Sequence, residues 1–347
     1  MRLSFKTILF ICFCFVLFGC NSDNTQQHSA RDKGNKKNLT VGVVYDLGGL
    51  GDMSFNDGVA AGLAKANAAH GIKVLHVESK NANDFEANIR SLVEQNVDLV
   101  INVGSMQKSP LSRISKEFPN QKFLLIDTFL DATNVRSLTF KEHEGSFLAG
   151  YLSGLMFKKI GFVSGMKIPV VLKFYSGYVA GAKTANPNVE VLAPKFLGSW
   201  NNINSAKTAA DILYKQGAEV IYQLTGRAGI GVLKSAKQNG KYAIGVDSDQ
   251  DHFYPGSVLT SMVKKVDSVI FSNISDLIND RFSFGEQSYG LEEDAVALSE
   301  MKYTRKIVGE ENIKKIERIK QKILAGKIEV PVNEVQLKNY IKKIKKT

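Results

Sequence analysis

The chain has 347 residues, of which 44% are hydrophobic and 23% are charged, so a disordered chain or a coiled coil is excluded and two globular domains fit the length. Three cysteines are too few for a disulfide scaffold, and no Cys or His spacing matches a zinc site. The net charge of +11 at pH 7 makes nucleic acid a candidate partner, so the distribution of that charge matters.

The first 19 residues are predicted to be a signal peptide. Arg2 and Lys6 precede a mostly apolar run that ends at Phe18 and is too short to cross a bilayer as a helix. The next residues, Gly19-Cys20, resemble a lipobox, in which Cys20 is lipidated, with palmitate among its acyl chains, and becomes the new N-terminus. The alternative is a plain export signal with a chance cysteine. We expect a lipoprotein anchored in the cell envelope, on the periplasmic face of the inner membrane or on the outer surface.

Residues 20–38 are predicted to form a flexible tether that carries the lipidated cysteine. After Cys20 the segment contains one alanine and no larger apolar side chain, so it cannot bury a core of its own.

Short β-branched runs alternate with helical stretches through the body of the chain. Predicted strands lie at 40–45, 72–77, 99–103, 123–126, 135–140, 160–163, 189–193, 220–223, 242–246 and 258–263, and predicted helices at 55–69, 84–95, 112–118, 144–157, 170–185, 205–216 and 230–238. Alternating β and α units predict an α/β fold with parallel sheets that are covered by helices on both faces. The units form two series, separated near residue 141, which indicates two similar lobes.

The positive charge is concentrated at the C-terminus. From Lys302 onward there are 14 Lys and Arg residues against five Glu, while residues 20–301 are neutral on balance. Four isoleucines between Ile313 and Ile323 recur at steps of three and four, which predicts an amphipathic helix with lysines on its other face. One interpretation is a docked helix with a solvated basic face, and the other is a surface for anionic lipid or an extracellular polyanion. Without a helix-turn-helix or RNA-binding signature, we expect no nucleic-acid partner.

Three predicted strands are followed directly by an aspartate, namely Asp46, Asp127 and Asp247. A single aspartate at this place is commonly a helix cap or a turn former. In parallel α/β folds, however, ligands bind outside the carboxyl ends of the strands. The three carboxylates would converge there only if the two lobes face each other across a common cleft.

The segment after the first strand reads DLGGLGDMSFND from Asp46 to Asp57. Ser54 with Asp57 three residues later predicts a capping box, which places Phe55 and Asn56 in the first helical turn at the strand ends. Phe55 either packs beneath the glycine loop or offers a flat surface to an aromatic ring, with Asn56 supplying a donor and an acceptor. The glycines match no phosphate-binding loop.

Trp200, the only tryptophan, lies at a strand-to-helix junction in the second series. Phe55 and Trp200 on facing lobes would sandwich one planar ring. Lys264, after the strand that ends at Val263, is the cation expected near the aspartates.

Enzyme chemistry finds little support in the sequence. Ser105–Lys108 and Ser261–Lys264 both match the S-x-x-K pattern of β-lactamases, but no K-T-G accompanies them. The five histidines show no HExxH or paired-ligand spacing. We expect neither catalysis nor a metal or cofactor.

Four stretches together resemble the basic membrane protein family of PnrA-like, purine-nucleoside-binding lipoproteins, and with its basic tail the chain resembles the spirochaetal members. These stretches are GGLGDMSFNDG (48–58), FKEHEGSFLAGYLSGLM (140–156), GFVSGMKIPVVLKFYSGYVAGAK (161–183) and GVDSDQ (245–250). The resemblance implies a two-lobed type I periplasmic-binding-protein fold that serves the permease of an ABC importer. Its first lobe would comprise 39–141 and about 255–300, its second 142–254 and about 301–330, and 331–347 would form a basic tail.

The resemblance also implies the ligand contacts. The base would stack on Phe55 and Trp200 and bond through its edge to Asn56 and Asp127, the ribose hydroxyls would bond to Asp247 beside Lys264, and Asp46 would line the cleft.

One position departs from the family pattern. Where the family has GGTG, this chain reads Gly226-Arg227-Ala228-Gly229, and Gly226 is the part of that segment expected at the ligand. Arg227 replaces a glycine whose missing side chain lets backbone approach a ligand. The arginine would point away, narrow the pocket or change which nucleoside fits.

The function that follows is capture of a purine nucleoside (adenosine, guanosine or inosine) for an ABC importer. Three acids against one lysine would repel a phosphate, so a neutral nucleoside is favoured over a nucleotide. The alternative is a surface lipoprotein that binds host polyanions or matrix through its basic C-terminal region and has a vestigial cleft.

Overall fold

The computed structural model of the protein describes residues 39–344. The signal peptide, Cys20 and the tether lie outside the described residues. The strands in chain order are β1 (Thr40–Val44), β2 (Lys73–Val77), β3 (Leu99–Asn102), β4 (Phe123–Ile126), β5 (Val135–Phe140), β6 (Lys159–Ser164), β7 (Glu190–Val191), β8 (Lys195–Phe196), β9 (Val220–Leu224), β10 (Tyr242–Asp247), β11 (Val258–Lys264), β12 (Gly285–Tyr289) and β13 (Val296–Leu298). The helices are α1 (Phe55–His70), α2 (Asp84–Glu94), α3 (Lys108–Glu117), α4 (Glu142–Met156), α5 (Pro169–Ala185), α6 (Ile203–Lys215), α7 (Gly229–Gln238), α8 (Val266–Ile278), α9 (Arg305–Val308), α10 (Glu310–Leu324) and α11 (Glu334–Ile344), with 3₁₀ turns at Ser105–Gln107 and Gly226–Ala228.

Two sheets organise the described residues. The first has the strand order β12-β5-β4-β3-β1-β2, and the second has the order β13-β11-β10-β9-β6-β7 with β8 also paired to β6. The pairings are parallel except that of β11 with β13. This confirms the predicted α/β class with two helix-covered parallel sheets. We call the elements built on the first sheet the first lobe and those built on the second sheet the second lobe.

The inner strands of the first sheet are buried on both faces, as parallel sheets between helical layers require, while the edge strands β2 and β12 are partly exposed. Every residue of β3 and of β4 is buried. Such continuous apolar runs are why these strands were recognisable in the sequence, and each strand and helix of the predicted alternating series is present with bounds shifted by a few residues.

The chain crosses between the sheets more often than the sequence indicated. Strand β11 pairs in parallel with β10 and so belongs to the second sheet, β12 returns to the first sheet beside β5, and β13 lies again in the second. The segment 255–300, expected as a whole in the first lobe, is therefore divided between the two sheets. Because β11 continues the βα alternation of the second series, the chain leaves that sheet only after Lys264.

Helices α4 and α5 pack with their backbones in contact. A Cβ atom on Gly150 would lie 1.9 Å from the carbonyl oxygen of Tyr178, so only glycine permits this approach. Helix α4 begins directly after the first crossing between sheets. Its contact with α5 holds its N-terminal residue, Glu142, at the junction of the two lobes.

The C-terminal region is helical and docked. Ile316, Ile319 and Ile323 of α10 are buried, as the isoleucine pattern predicted, and α10 packs against α4. Residues 331–347, expected as a basic tail, contain α11, which packs on α5 and places the Tyr340 hydroxyl 2.8 Å from Thr184 Oγ1. The difference arises because Leu337 and Tyr340 supply an apolar face among the lysines. None of the helices in the described part of the chain has the length and apolar character that a membrane crossing requires.

Candidate functional site

A cleft opens where the carboxyl ends of both sheets meet. It encloses about 620 Å³ of atom-free space, counting the part open to solvent. Residues at the ends of β1, β4, β9, β10 and β11 line it. All eight residues predicted for the ligand site lie on its wall: Asp46, Phe55, Asn56, Asp127, Trp200, Gly226, Asp247 and Lys264.

The start of α1 is capped by Asp52, and the predicted capping box of Ser54 and Asp57 is wrong. The Asp52 carboxylate accepts hydrogen bonds from the backbone N–H of Asn56 at 2.9 Å and of Asp57 at 3.1 Å. Ser54 instead donates its hydroxyl proton to Asp247 Oδ2 across the cleft, at 2.6 Å. A carboxylate has two acceptor oxygens and satisfies several free helix N–H groups at once, which leaves the serine available for the other lobe.

Asn56 is fixed by its neighbours rather than held free for a ligand. Its side-chain oxygen accepts from the backbone N–H of Asp46 at 3.0 Å, and its amide nitrogen donates to Asp52 Oδ2 at 2.9 Å. An amide retains one further N–H and one further lone pair after these two bonds. Asn56 therefore joins the end of β1 to the start of α1 and keeps one donor and one acceptor position for the cleft.

Two of the three aspartates adopt a backbone conformation that is uncommon for residues with side chains. Asp127 has φ +72° and Asp247 has φ +63°, both in the left-handed region. Aspartate and asparagine tolerate this region better than other non-glycine residues. The turn at each strand end thus aims a carboxylate into the cleft.

Lys264 lies at the centre of the charged part of the site. Its ammonium group is 2.5 Å from Asp127 Oδ1 and 3.3 Å from Glu142 Oε1, with 1% of its side chain exposed. The same nitrogen lies 4.8 Å from the ring centre of Phe55 and 4.5 Å from that of Phe140, within cation–π distance. Lys264 therefore ties the second sheet to the carboxylates that border the first.

Burial shifts the titration of the cleft acids. Desolvation raises the pKa of Asp46 to about 7, although a hydrogen bond from the Leu47 N–H opposes it, and raises the pKa of Asp247 to about 6 against the attraction of Lys264. Burial likewise raises the pKa of Asp127 despite its bond to Lys264. Burial alone would lower the pKa of Lys264, but the carboxylates of Asp127, Glu142 and Asp247 raise it, so the lysine stays charged.

The raised pKa of Asp46 predicts that ionisation of this carboxyl lowers the free energy of unfolding as the pH rises. The half-buried Asp46 carboxyl is neutral at low pH and then does not destabilise the fold, and the destabilisation grows as pH rises from about 4 to about 7. We expect Asp46→Asn to gain stability over the wild type across this window, by up to about 4 kcal/mol, in urea unfolding of solute-free protein at pH 4 and pH 8.

Glu117→Gln is the control, because its effect on stability should change with pH in the opposite direction to that of Asp46→Asn. The hydrogen bond from Arg90 lowers the pKa of Glu117, so this variant is expected to lose stability relative to the wild type as pH rises through the acid range. Equal pH profiles for Asp46→Asn and the wild type would contradict the burial of charge at Asp46.

Trp200 is placed by close backbone contacts in the second lobe. Its indole ring lies so close to Gly165 that a Cβ there would be 2.2 Å from Trp200 Cε3, and its carbonyl oxygen accepts the Ala228 N–H at 2.9 Å. The following Asn202 caps α6 by accepting from the Ser205 N–H at 2.9 Å. The indole therefore lines the cleft from the second lobe, while Phe55 lines it from the first.

Sequence reasoning missed other parts of the wall. The N-terminal part of α5 and the end of β9 contribute the apolar residues, and the loops after β1 and β3 contribute small and polar ones: Ile168, Val170, Val171, Phe174 and Leu224, then Gly48, Asp52, Gly104 and Ser105. The segment before α5 follows strand β6 at a carboxyl end, so the strand-end rule would have marked it. No sequence pattern marked Glu142, because its part in the site is an ion pair with Lys264, which is distant in the sequence.

Arg227 does not line the cleft and reaches across to the first lobe. It is exposed, and its guanidinium donates to the Leu50 carbonyl oxygen at 2.9 Å and to that of Gly51 at 3.2 Å, in the first lobe.

Within residues 39–344, no group of three or more His, Cys, Asp or Glu side chains is arranged to hold a metal ion.

Comparison with known proteins gives a consistent result. A family model described as ABC transporter substrate-binding protein, PnrA-like, matches residues 39–334. Basic membrane protein D of Borreliella burgdorferi (strain JD1) is 30% identical over 346 residues, which cover 97% of this chain and 98% of that protein. The ABC transporter nucleoside-binding protein BmpA of Lactococcus lactis subsp. cremoris is 31% identical, with 91% and 95% covered. A solute-binding protein of an ABC transporter system from Aeropyrum pernix K1 superposes with a TM-score of 0.80 at 26% identity, over 88% of this chain and 97% of that one.

Proposed function

This chain belongs to the family of PnrA-like ABC transporter substrate-binding proteins, and we propose that the solute it captures for an ABC importer is a purine nucleoside. The family and the neighbour from Aeropyrum pernix are substrate-binding proteins of ABC transporters, so the protein binds a solute and is not an enzyme. Adenosine, guanosine and inosine are the candidates, and the permease of the importer is the proposed partner.

The observation that carries the proposal is the placement of two aromatic side chains on one cleft. Phe55 lines it from the first lobe and Trp200 from the second, together with Asp247. A planar base between the two rings would gain stacking energy of about 1–3 kcal/mol, which does not depend on a particular base. The base edge would then meet Asn56 and Asp127.

The acids of the cleft favour a nucleoside over a free base or a nucleotide. Ser54 occupies one oxygen of Asp247, and the remaining acceptor positions of a carboxylate suit the paired hydroxyls of a ribose. The ammonium group of Lys264 already pairs with Asp127 and Glu142, so we do not assign it to a phosphate group of the solute. A phosphate would face the surrounding carboxylates without compensation.

The proposal includes the anchor. We take Cys20 as the lipidated residue that holds the protein at the membrane, in line with a relative whose name describes it as a basic membrane protein. The side of the membrane is left open by this assignment.

Calorimetric titration of the full-length protein with adenosine, guanosine and inosine tests the proposal, after native mass spectrometry has identified any solute that co-purifies. We expect binding of at least one of them, and we expect Phe55→Ala to weaken it about tenfold or more because one stacking surface is lost. Phe284→Ala is the matched control, since Phe284 is 44% exposed and does not line the cleft. No binding by the wild type, or unchanged binding by Phe55→Ala, would overturn the assignment.

A further inference from the structure

The loop of residues 47–53, which we call the cleft loop, is held by the second lobe through its carbonyl oxygens. Four second-lobe side chains donate to it: Asn201 to Leu47 O at 2.8 Å, Arg227 to Leu50 O at 2.9 Å and Gly51 O at 3.2 Å, Ser248 to Met53 O at 2.7 Å, and Gln250 to Met53 O at 3.1 Å. These bonds join the two lobes on the rim of the cleft.

The same loop is held by the first lobe through its N–H groups. The Leu50 N–H donates to Glu78 at 2.9 Å, and the carboxylate of Asp57 accepts from Gly51 at 2.7 Å and from Met53 at 2.8 Å. These acceptors keep the cleft loop with the first lobe. Separation of the lobes would therefore break the bonds to the carbonyl oxygens and leave the bonds from the N–H groups in place.

Arg227 differs from Gln250 in that, among the described residues, its side chain makes no hydrogen bond within its own lobe. Gln250 is 3% exposed and also bonds to Gln223, so its loss would disturb the second lobe itself. Arg227 is exposed, stands in the short turn after β9, and does not line the cleft. Its planar guanidinium supplies two donors in fixed geometry, which suits two adjacent carbonyl oxygens.

We propose that Arg227 is an interlobe bridge that retains the bound solute by holding the cleft loop against the second lobe. The solute leaves only when the lobes separate, so the two bonds of Arg227 add to the barrier for release without touching the solute. The proposal rests on the proposed function where adenosine is used as the solute. Arg227 is thus a positioning residue, which acts on the bound solute only by holding the cleft loop in place.

Release is measured by stopped-flow fluorescence of Trp200, which is the only tryptophan of the chain and lines the cleft. We expect Arg227→Ala to raise the dissociation rate of adenosine about tenfold, equivalent to about 1.4 kcal/mol for the two bonds. Arg227→Lys, which keeps the charge but not the fork of donors, should lie between this variant and the wild type. Arg113→Ala is the matched control, because Arg113 is an exposed arginine whose partner Glu86 lies in the same lobe.

A second measurement uses no solute and separates this proposal from the nucleoside assignment. Acrylamide quenching of Trp200 in solute-free protein should increase in Arg227→Ala, since a weaker bridge favours the open form, and should not change in Arg113→Ala. Equal quenching in Arg227→Ala and the wild type overturns the bridge, whether or not adenosine binds. Increased quenching with an unchanged dissociation rate overturns its role in retention. If the wild type binds no adenosine but quenching increases as expected, the bridge stands and the nucleoside assignment fails.

Discussion

Asp247→Asn is expected to lower the affinity for adenosine by at least about a hundredfold. Hydrogen bonds to a charged group contribute about 1.5–3 kcal/mol each, and the proposal gives Asp247 two ribose hydroxyls. Asparagine is the right replacement because Asp247 has φ +63°, which asparagine tolerates and alanine does not. The variant also removes a half-buried acid whose pKa desolvation raises to about 6, so the fold should be retained.

The effect on Asp247 is measured by titration calorimetry with adenosine and 2′-deoxyadenosine. The wild type should bind the deoxy compound about tenfold more weakly, and Asp247→Asn should discriminate less between the two, because the group that reads the 2′-hydroxyl is gone. Asp249→Asn, an exposed aspartate two positions away, is the control and should bind as the wild type does. Affinity of Asp247→Asn within a few-fold of the wild type would contradict the ribose contact.

Lys264→Met is expected to destabilise the folded protein by about 3–5 kcal/mol. Removal of one member of a buried ion pair leaves an uncompensated charge, which costs more than the pair contributes. Asp127 would then lose the cation that it contacts directly, and Glu142 would keep only Lys173, whose ammonium nitrogen lies 3.5 Å from Glu142 Oε2. The pKa of Asp127 is already raised by burial, so its proton uptake would increase further.

Urea unfolding of solute-free protein at pH 5 and pH 8 measures this effect. The loss should be smaller at pH 5, because a carboxyl with a raised pKa is protonated to a larger extent at pH 5 than at pH 8 and then carries less buried charge. Adding Asp127→Asn to Lys264→Met should restore part of the stability, since the second change removes one unpaired charge. Lys265→Met is the control, because Lys265 is partly exposed and pairs with an exposed Asp294, and it should change stability by less than about 1 kcal/mol. Equal effects at the two lysines would contradict the buried role of Lys264.

The residues of the cleft could be predicted because most of them follow a strand. Asp46 lies two residues after β1, Asp127 directly follows β4, and Asp247 ends β10. Parallel strands bring their carboxyl ends to one edge of the sheet. The structure places all eight predicted residues on one cleft. Their contact with a solute is still a prediction, which the titrations above test.

The local sequence pattern at the start of α1 gave a wrong prediction of the helix cap. Ser54 followed by Asp57 has the spacing of a capping box, yet Asp52 caps α1 and Ser54 bonds to Asp247. The sequence could not reveal this, because Asp247, which accepts the proton of the serine hydroxyl, is 193 positions away. In the C-terminal segment, the lysines of α11 accompany an apolar face by which this helix docks on α5.

The amino-acid sequence by itself determined the alternation of buried strands and amphipathic helices, the parallel character of the sheets and the strand-end positions of the polar residues, because each depends on periodicity within a few neighbouring residues. Only the tertiary structure decided where the chain crosses between sheets, which carboxylates enclose Lys264 and what Arg227 holds. Those features depend on how two lobes are placed against each other, as in the bond from Arg227 to Gly51, whose residues are 176 positions apart. No local rule reaches over that distance.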